Sequence, residues 1–177
     1  AFQTAFFGTP TDGLPSLMHV CVKGRRDLAD ALAEVLPDVG YAGPVEAFIR
    51  HWFERDSNVN HDVLGIARKL AARGDVDLYL VTGQEHRRAD YLWNDLGFGA
   101  VFNDIIYCAK VGYLKIEPEF FAAVNEAVGV TAGERPLFFD DSPPVVALAR
   151  EAGWDAVEFR TVDDMLGHER LSGLIGG

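Results

Sequence analysis

The stretch Leu137-Phe138-Phe139-Asp140-Asp141-Ser142-Pro143-Pro144, running on through VVALARE to Ala152-Gly153, decides the fold. Leu137 to Phe139 reads as a short strand, and two carboxylates follow it without a gap. Pro143 then opens a helix to Ala152, which Gly153 closes, and Asp155 to Phe159 reads as the next strand. Strand, helix and strand in that order mark an α/β domain with a mainly parallel sheet.

Upstream the same alternation continues. Val76 to Val81 (VDLYLV) is an apolar run that enters a turn at Thr82-Gly83, and Gln84 to Leu96 is helical with Gly97 as its stop. Asp104 to Cys108 is a strand. Glu117 to Val128 is a helix with Pro118 in its first turn and Phe120, Val124 and Val128 at four-residue spacing. The first 75 residues read differently, with helices at Arg25 to Leu36, Pro44 to Arg55 and His61 to Arg73 and the turn cluster Asp56-Ser57-Asn58-Val59-Asn60 between the last two. A strand is expected there only around Ala5 to Gly8. The periodicity thus predicts a sheet-based core with a small helical insertion at residues 14–60.

Composition sets the outer bounds. The chain has 177 residues, 49% hydrophobic and 24% charged, which fits one globular domain and excludes a disordered or collagen-like chain. No apolar run approaches the roughly 18 residues a membrane span needs. Sixteen Lys and Arg against 27 Asp and Glu give a formal net charge of −11, so general nucleic-acid binding is not expected. A local cation can still reverse the sign inside a pocket for a small anionic substrate. Cys21 and Cys108 are far apart and form no CxxC, which reads as free thiols in a reducing compartment. The opening AFQTAFFGTP has no positive n-region and too short an apolar stretch for a secretory signal. The expected location is cytoplasmic, and the expected state a monomer or homodimer.

Three polar groups recur at the ends of these elements: Thr82 after a strand, Lys115 before a helix, and Asp140-Asp141 after a strand. In parallel α/β sheets, ligands sit in the crevice beyond the carboxyl ends of the strands. A hydroxyl and an ammonium there suit phosphate oxygens, and paired carboxylates supply hard oxygen ligands to a divalent metal. Two adjacent aspartates repel each other by about 1 kcal/mol at an exposed contact, and by more where water is excluded, unless a cation or donors sit between them. Each residue has a plainer reading too: Asp140 or Asp141 as the cap of the helix at Pro143, Lys115 as a solvated lysine, Thr82 as a turn residue. Their joint order favours the site.

These motifs resemble those of the haloacid dehalogenase (HAD) superfamily of hydrolases, in the branch with a helical cap after the first strand. LVTG with Thr82 is similar to the second motif, KIEPEFF from Lys115 to the third, and LFFDDSPPVVALAREAGWDAV to the fourth. The resemblance implies a Rossmann-like three-layer α/β/α sandwich. Its core would be residues 1–13 and 61–177, and its small helical cap residues 14–60. It implies a phosphatase-type enzyme that uses Mg²⁺ on a small phosphorylated, or otherwise anionic, metabolite through an aspartyl-phosphate intermediate. Thr82 would hydrogen-bond the phosphoryl group, Lys115 would neutralise the nucleophile, and Asp140 with Asp141 would hold Mg²⁺.

The first motif, a hydrophobic strand followed by Asp-x-Asp, is missing. Aligning AFF to that strand puts Gly8 and Pro10 at the two aspartate positions. Aligning Asp12-Gly13 to the end of the motif keeps Asp12 as acid/base and makes Pro10 the nucleophile. Lys115 is also followed by Ile116, where the family usually has Pro. Either the chain is a degenerate member that binds a ligand or partner without turnover, or the N-terminal residues as given do not represent the native first motif.

The other constellations are weaker. His51 and His61 are too few for a metal site, Phe48 and Trp52 read as packing, and Trp93 as core or a dimer contact. Arg25-Arg26 and Arg87-Arg88 read as solvated helix faces, and His86 lies near the turn after Thr82.

Overall fold

A computed structural model describes residues 2–8 and 15–175. It contains four short strands and a series of helices in α/β order, and it divides into two compact units. The first comprises Ala1–Asn58, Val81–Phe98 and Tyr107–Leu114; the second comprises Val59–Leu80, Gly99–Ile106 and Lys115–Gly177.

The second unit is built on β3 (Leu137–Asp140) and β4 (Asp155–Glu158), which pair in parallel with Leu137 opposite Asp155 and Asp140 opposite Glu158. α9 (Pro143–Glu151) makes the crossover between them. It opens with two prolines, which carry no N–H and so leave no donor to satisfy at those first-turn positions. Side chains alternate across a strand, so β3 presents two apolar faces. Leu137 and Phe139 pack on a cluster of Ile66 and Leu70 from α5 (His61–Ala71) and Leu171 from α11 (Glu169–Ile175). Phe138 instead meets Phe121 of α8 (Pro118–Val128) and Trp154, with ring centroids 6.1 and 5.3 Å away in edge-on geometry. Phe121 and Trp154 close the triad at 5.2 Å. Helices therefore cover both faces of the β3–β4 pair, the layering of a Rossmann-like α/β fold. α10 (Val162–Leu166) opens with a capping box from Thr161 and Asp164 and leads into α11.

In the first unit α1 (Phe2–Phe7), α2 (Leu17–Val22), α3 (Leu28–Val35) and α4 (Val45–Asp56) surround an apolar cluster that includes Phe6, Cys21, Leu28, Leu32, Ile49 and Phe53. The expected strand at Ala5 to Gly8 is not formed, because Phe2–Phe7 is helical. Phe2 stacks on Phe6, and each ring meets Trp52 edge-on, at 6.3 and 6.2 Å. Four-residue spacing joins two rings on one face of a helix, whereas a strand's two-residue period would also place Phe2 and Phe6 together. The pattern AFQTAFF fits both periods, and tertiary packing decides.

α6 (His86–Asp90) and a π-helical turn at Tyr91–Asp95 replace the single helix expected over Gln84 to Leu96. α7 (Cys108–Val111) ends at Gly112 with φ +82. Gly24 has φ +68, and a Cβ there would lie 2.5 Å from the backbone oxygen of Ala109. Only glycine fits that left-handed, crowded position. β1 (Tyr79–Thr82) and β2 (Asp104–Tyr107) form the other two-stranded sheet. No helix among the described residues is long and apolar enough to cross a membrane.

Candidate functional site

Asp140 is the last residue of β3 and is 8% exposed. Its backbone carbonyl accepts the Phe159 amide at 2.9 Å, just past the end of β4, which anchors the tip of the strand. One carboxylate oxygen, Oδ1, accepts the Ser142 amide at 3.0 Å, and the other, Oδ2, accepts a hydrogen bond from the ammonium of Lys115. Lys115 stands in the loop before α8, its side chain largely buried and its Nζ 5.9 Å above the Phe138 ring. The ammonium thus has a carboxylate beside it and the face of an aromatic ring beneath it.

Two residues 25 positions apart in sequence therefore meet as a mostly buried ion pair. An ion pair in such a place stands only when the remaining polar atoms are satisfied, and the Ser142 amide does this for Asp140. The plainer reading of Asp140 as the α9 cap is not what the structure adopts. Ser142 occupies the N-cap position, and Asp140 bonds an amide two residues on in an Asx-type turn. Ser142, expected to help an aspartate cap α9, holds the N-cap position itself, and Phe138 was not singled out from sequence, where the strand's two-residue period was its available signal.

Asp141 is exposed beside this pair. Thr82 closes β1 in the first unit and is half-buried. Asp12, the acid/base candidate, lies outside the described residues. Lys115 and Asp140 are the sequence-predicted residues that the structure joins directly. Among the described residues no group of three or more His, Cys, Asp or Glu side chains converges on a metal position. Of the two aspartates expected to hold a metal, Asp140 is engaged by Lys115 and the Ser142 amide, and Asp141 is exposed.

Arg87 and Arg88 are each engaged by protein groups rather than standing free on a helix face, Arg87 half-exposed and Arg88 buried. Arg87 donates through Nε to both oxygens of Asp27 (3.0 and 2.8 Å) and through Nη1 to both oxygens of Glu46 (2.8 and 3.0 Å). The Arg87 guanidinium holds the Asp27 carboxyl below its ordinary range. Asp27 also caps α3 through the Ala29 amide at 2.8 Å. Arg88 is buried, stacks 4.8 Å from the Phe53 ring centroid and 5.4 Å from that of Tyr91, and donates to the carbonyls of Phe53 and Asp56. One arginine thus braces the first turn of α4 and its neighbour the last, where open carbonyls favour a cation. Arg26 is likewise engaged, with Glu34. A two-residue basic motif carries no sequence signal for such partners. His51 and His61 are exposed, as a surface reading requires, and Trp93 is half-buried.

No family model and no curated protein matches the sequence. Solved structures do match. A HAD family enzyme, BT-2542 of Bacteroides thetaiotaomicron, is 19% identical with a TM-score of 0.72, over 89% of this chain and 77% of that one. Its magnesium complex is 18% identical with a TM-score of 0.68, over 90% and 82%. The wild-type enzyme with magnesium and inorganic phosphate is 18% identical with a TM-score of 0.69, over 82% and 75%. Layered helices on a parallel strand pair agree with these likenesses. The chain adopts the Rossmann-like α/β fold of HAD family enzymes.

Proposed function

We propose that the chain is a HAD-type hydrolase of the phosphatase class that takes a small phosphorylated metabolite together with Mg²⁺. The observation that carries this reading is the buried Lys115–Asp140 pair at the tip of β3. A protein has little reason to bury a lysine against one aspartate and leave a second aspartate exposed alongside unless an anion and a cation are to be held there. In this reading Lys115 offers its ammonium to a phosphoryl oxygen, and Thr82 keeps the hydrogen-bonding role that its motif implies. Asp140 and Asp141 would hold Mg²⁺, which supplies charge neutralisation for the phosphoryl group when bound. The BT-2542 complexes with magnesium and phosphate support this choice of ligand. The helices of residues 14–60 serve as the cap.

A second reading is favoured by one observation: Phe2–Phe7 is a helix, and no Asp-x-Asp follows it. On that reading the same pair binds phosphate and Mg²⁺ without turnover, since loss of a covalent nucleophile from a cooperating set typically costs on the order of 10⁴- to 10⁶-fold in rate.

Hydrolysis of p-nitrophenyl phosphate and a panel of sugar and nucleoside phosphates, with Mg²⁺ and with EDTA, separates the two. Mg²⁺-dependent turnover that Asp140→Asn abolishes is the expected result for an enzyme. Absence of turnover, with a rise in melting temperature on adding phosphate and Mg²⁺ that Lys115→Ala removes, is the result for a binding protein. Neither turnover nor stabilisation overturns both.

A further inference from the structure

The first unit holds a cavity of about 610 Å³, in the size range of small-molecule sites. One face of α4 supplies much of its lining. Phe48, His51, Trp52 and Arg55 stand at i, i+3, i+4 and i+7 on that helix, and all four border the cavity. The rings of Phe48 and Trp52 are 6.4 Å apart between centroids, and Phe2 adds a third ring 5.3 Å from Phe48. The result is an apolar hollow with an imidazole and a guanidinium carried on the same helix face as two of its rings.

Charge decides what such a hollow can hold. The two acids that line it are engaged: both Glu85 oxygens accept backbone amides of α6, and Asp56 lies 3.6 Å from the Arg88 guanidinium. Arg88 is committed as well, to the Phe53 and Tyr91 rings and the Phe53 carbonyl. His51 and Arg55 remain. Both are exposed, and among the described residues neither side chain has a hydrogen bond or an ion pair. A guanidinium presents a planar fork of N–H donors that matches a carboxylate, and an imidazole offers an N–H in either tautomer. The open bonding capacity at the cavity is therefore donor capacity, and one donor is permanently positive. We propose that this cavity binds a small amphipathic carboxylate, its apolar body against Phe2, Phe48 and Trp52 and its charged end at Arg55 and His51. The site is independent of the phosphate reading, since it uses none of Thr82, Lys115, Asp140 or Asp141.

Three ligands with one apolar body and different heads provide the test: 3-phenylpropionate, 3-phenylpropan-1-ol and 3-phenylpropan-1-amine. Each is titrated into the protein by calorimetry, with EDTA and without phosphate, at a salt concentration that screens the net charge of −11. The expected result is saturable binding of the carboxylate at one site per chain, at least ~10-fold tighter than the alcohol, as a charge-assisted hydrogen bond to arginine provides. The amine is expected to bind most weakly. Arg55→Gln should weaken the carboxylate at least ~10-fold and leave the alcohol unchanged. Trp52→Leu should weaken both, with circular dichroism confirming that the helices remain. Equal affinity for the three ligands would show an unspecific apolar cavity and overturn the proposal. A preference for the amine would do so by giving the cavity the opposite sign. No carboxylate binding at tens of millimolar, or binding that Arg55→Gln or Trp52→Leu leaves unchanged, would overturn it too. The comparison of ligands on the unmodified chain stands even if a variant fails to fold.

Discussion

The two compact units solve the same problem, placing charged groups in a small protein, in opposite ways. The second unit hides its decisive charges: Asp140 is buried at the tip of β3, Lys115 covers it, and the Phe121–Phe138–Trp154 triad packs below. The first unit keeps its clamp near solvent. Arg87 spans Asp27 and Glu46, all three partly open to water, while an aromatic cluster fills the interior. A charge pair withdrawn from water is expensive to break, because either partner left alone is an unpaired buried ion. A solvated clamp is cheap to lose, because water replaces the partner. The second arrangement suits a site that must keep its geometry through binding, the first a scaffold that holds helices in register.

Four substitutions test that contrast, in falling order of effect. Phe121→Ala should cost about 4 kcal/mol by the cavity it leaves under β3, measured by urea denaturation. A loss under about 2 kcal/mol would show that the triad is not what supports the strand. Lys115→Ala should cost about 3 kcal/mol by stranding the Asp140 carboxylate. Lys115→Ala/Asp140→Ala should recover part of that loss, and failure to recover would mean that the pair was not coupled. In the first unit Gly24→Ala should cost about 2 kcal/mol, the left-handed backbone penalty combined with contact against the Ala109 carbonyl. A neutral outcome would show that α2 and α7 can separate without penalty.

Arg87→Ala is the smallest, about 1 kcal/mol at pH 7, reduced by solvent screening. Its pH dependence carries the information. Asp27 ordinarily titrates near 3.8, and the Arg87 hydrogen bonds, ahead of any other cause, lower its value in the folded protein. The stabilisation is therefore complete above the ordinary value and is lost as pH falls through the lower, folded one. The gap between wild type and Arg87→Ala should close on acidification below pH ~4. A gap that persists there would assign the clamp's effect to packing of the arginine stem instead.

These contrasts also explain what could be read in the residues alone. Leu137-Phe138-Phe139 followed by aspartates, the Pro143 start and the Gly153 stop are local signals, and the structure uses each within a residue or two. Lys115 and Asp140 were visible as candidates because each stands beside the end of an element. Their direct contact was not visible, since 25 intervening residues set it. The region around Ala5 to Gly8 was misread because its apolar spacing suits two periods at once. The roles of Arg87 and Glu85 were hidden for a different reason: their partners lie on α3, α4 and the amides of α6, and no sequence spacing encodes a tertiary neighbour.

The two-faced character of β3 sets a rule for how this chain tolerates changes in length. Phe138 and Asp140 share one side of the strand, and Leu137 and Phe139 share the other. Deleting one residue inside it would swing Phe139 to where the carboxylate belongs and turn the acid toward the oily layer of α5 and α11. Ahead of the strand, Pro136 is held through its carbonyl by the Asp155 amide, but the turn at residues 131–134 closes on itself and lies outside that alternation. Homologous chains should accordingly vary in that turn and stay invariant in count from Leu137 to Ser142.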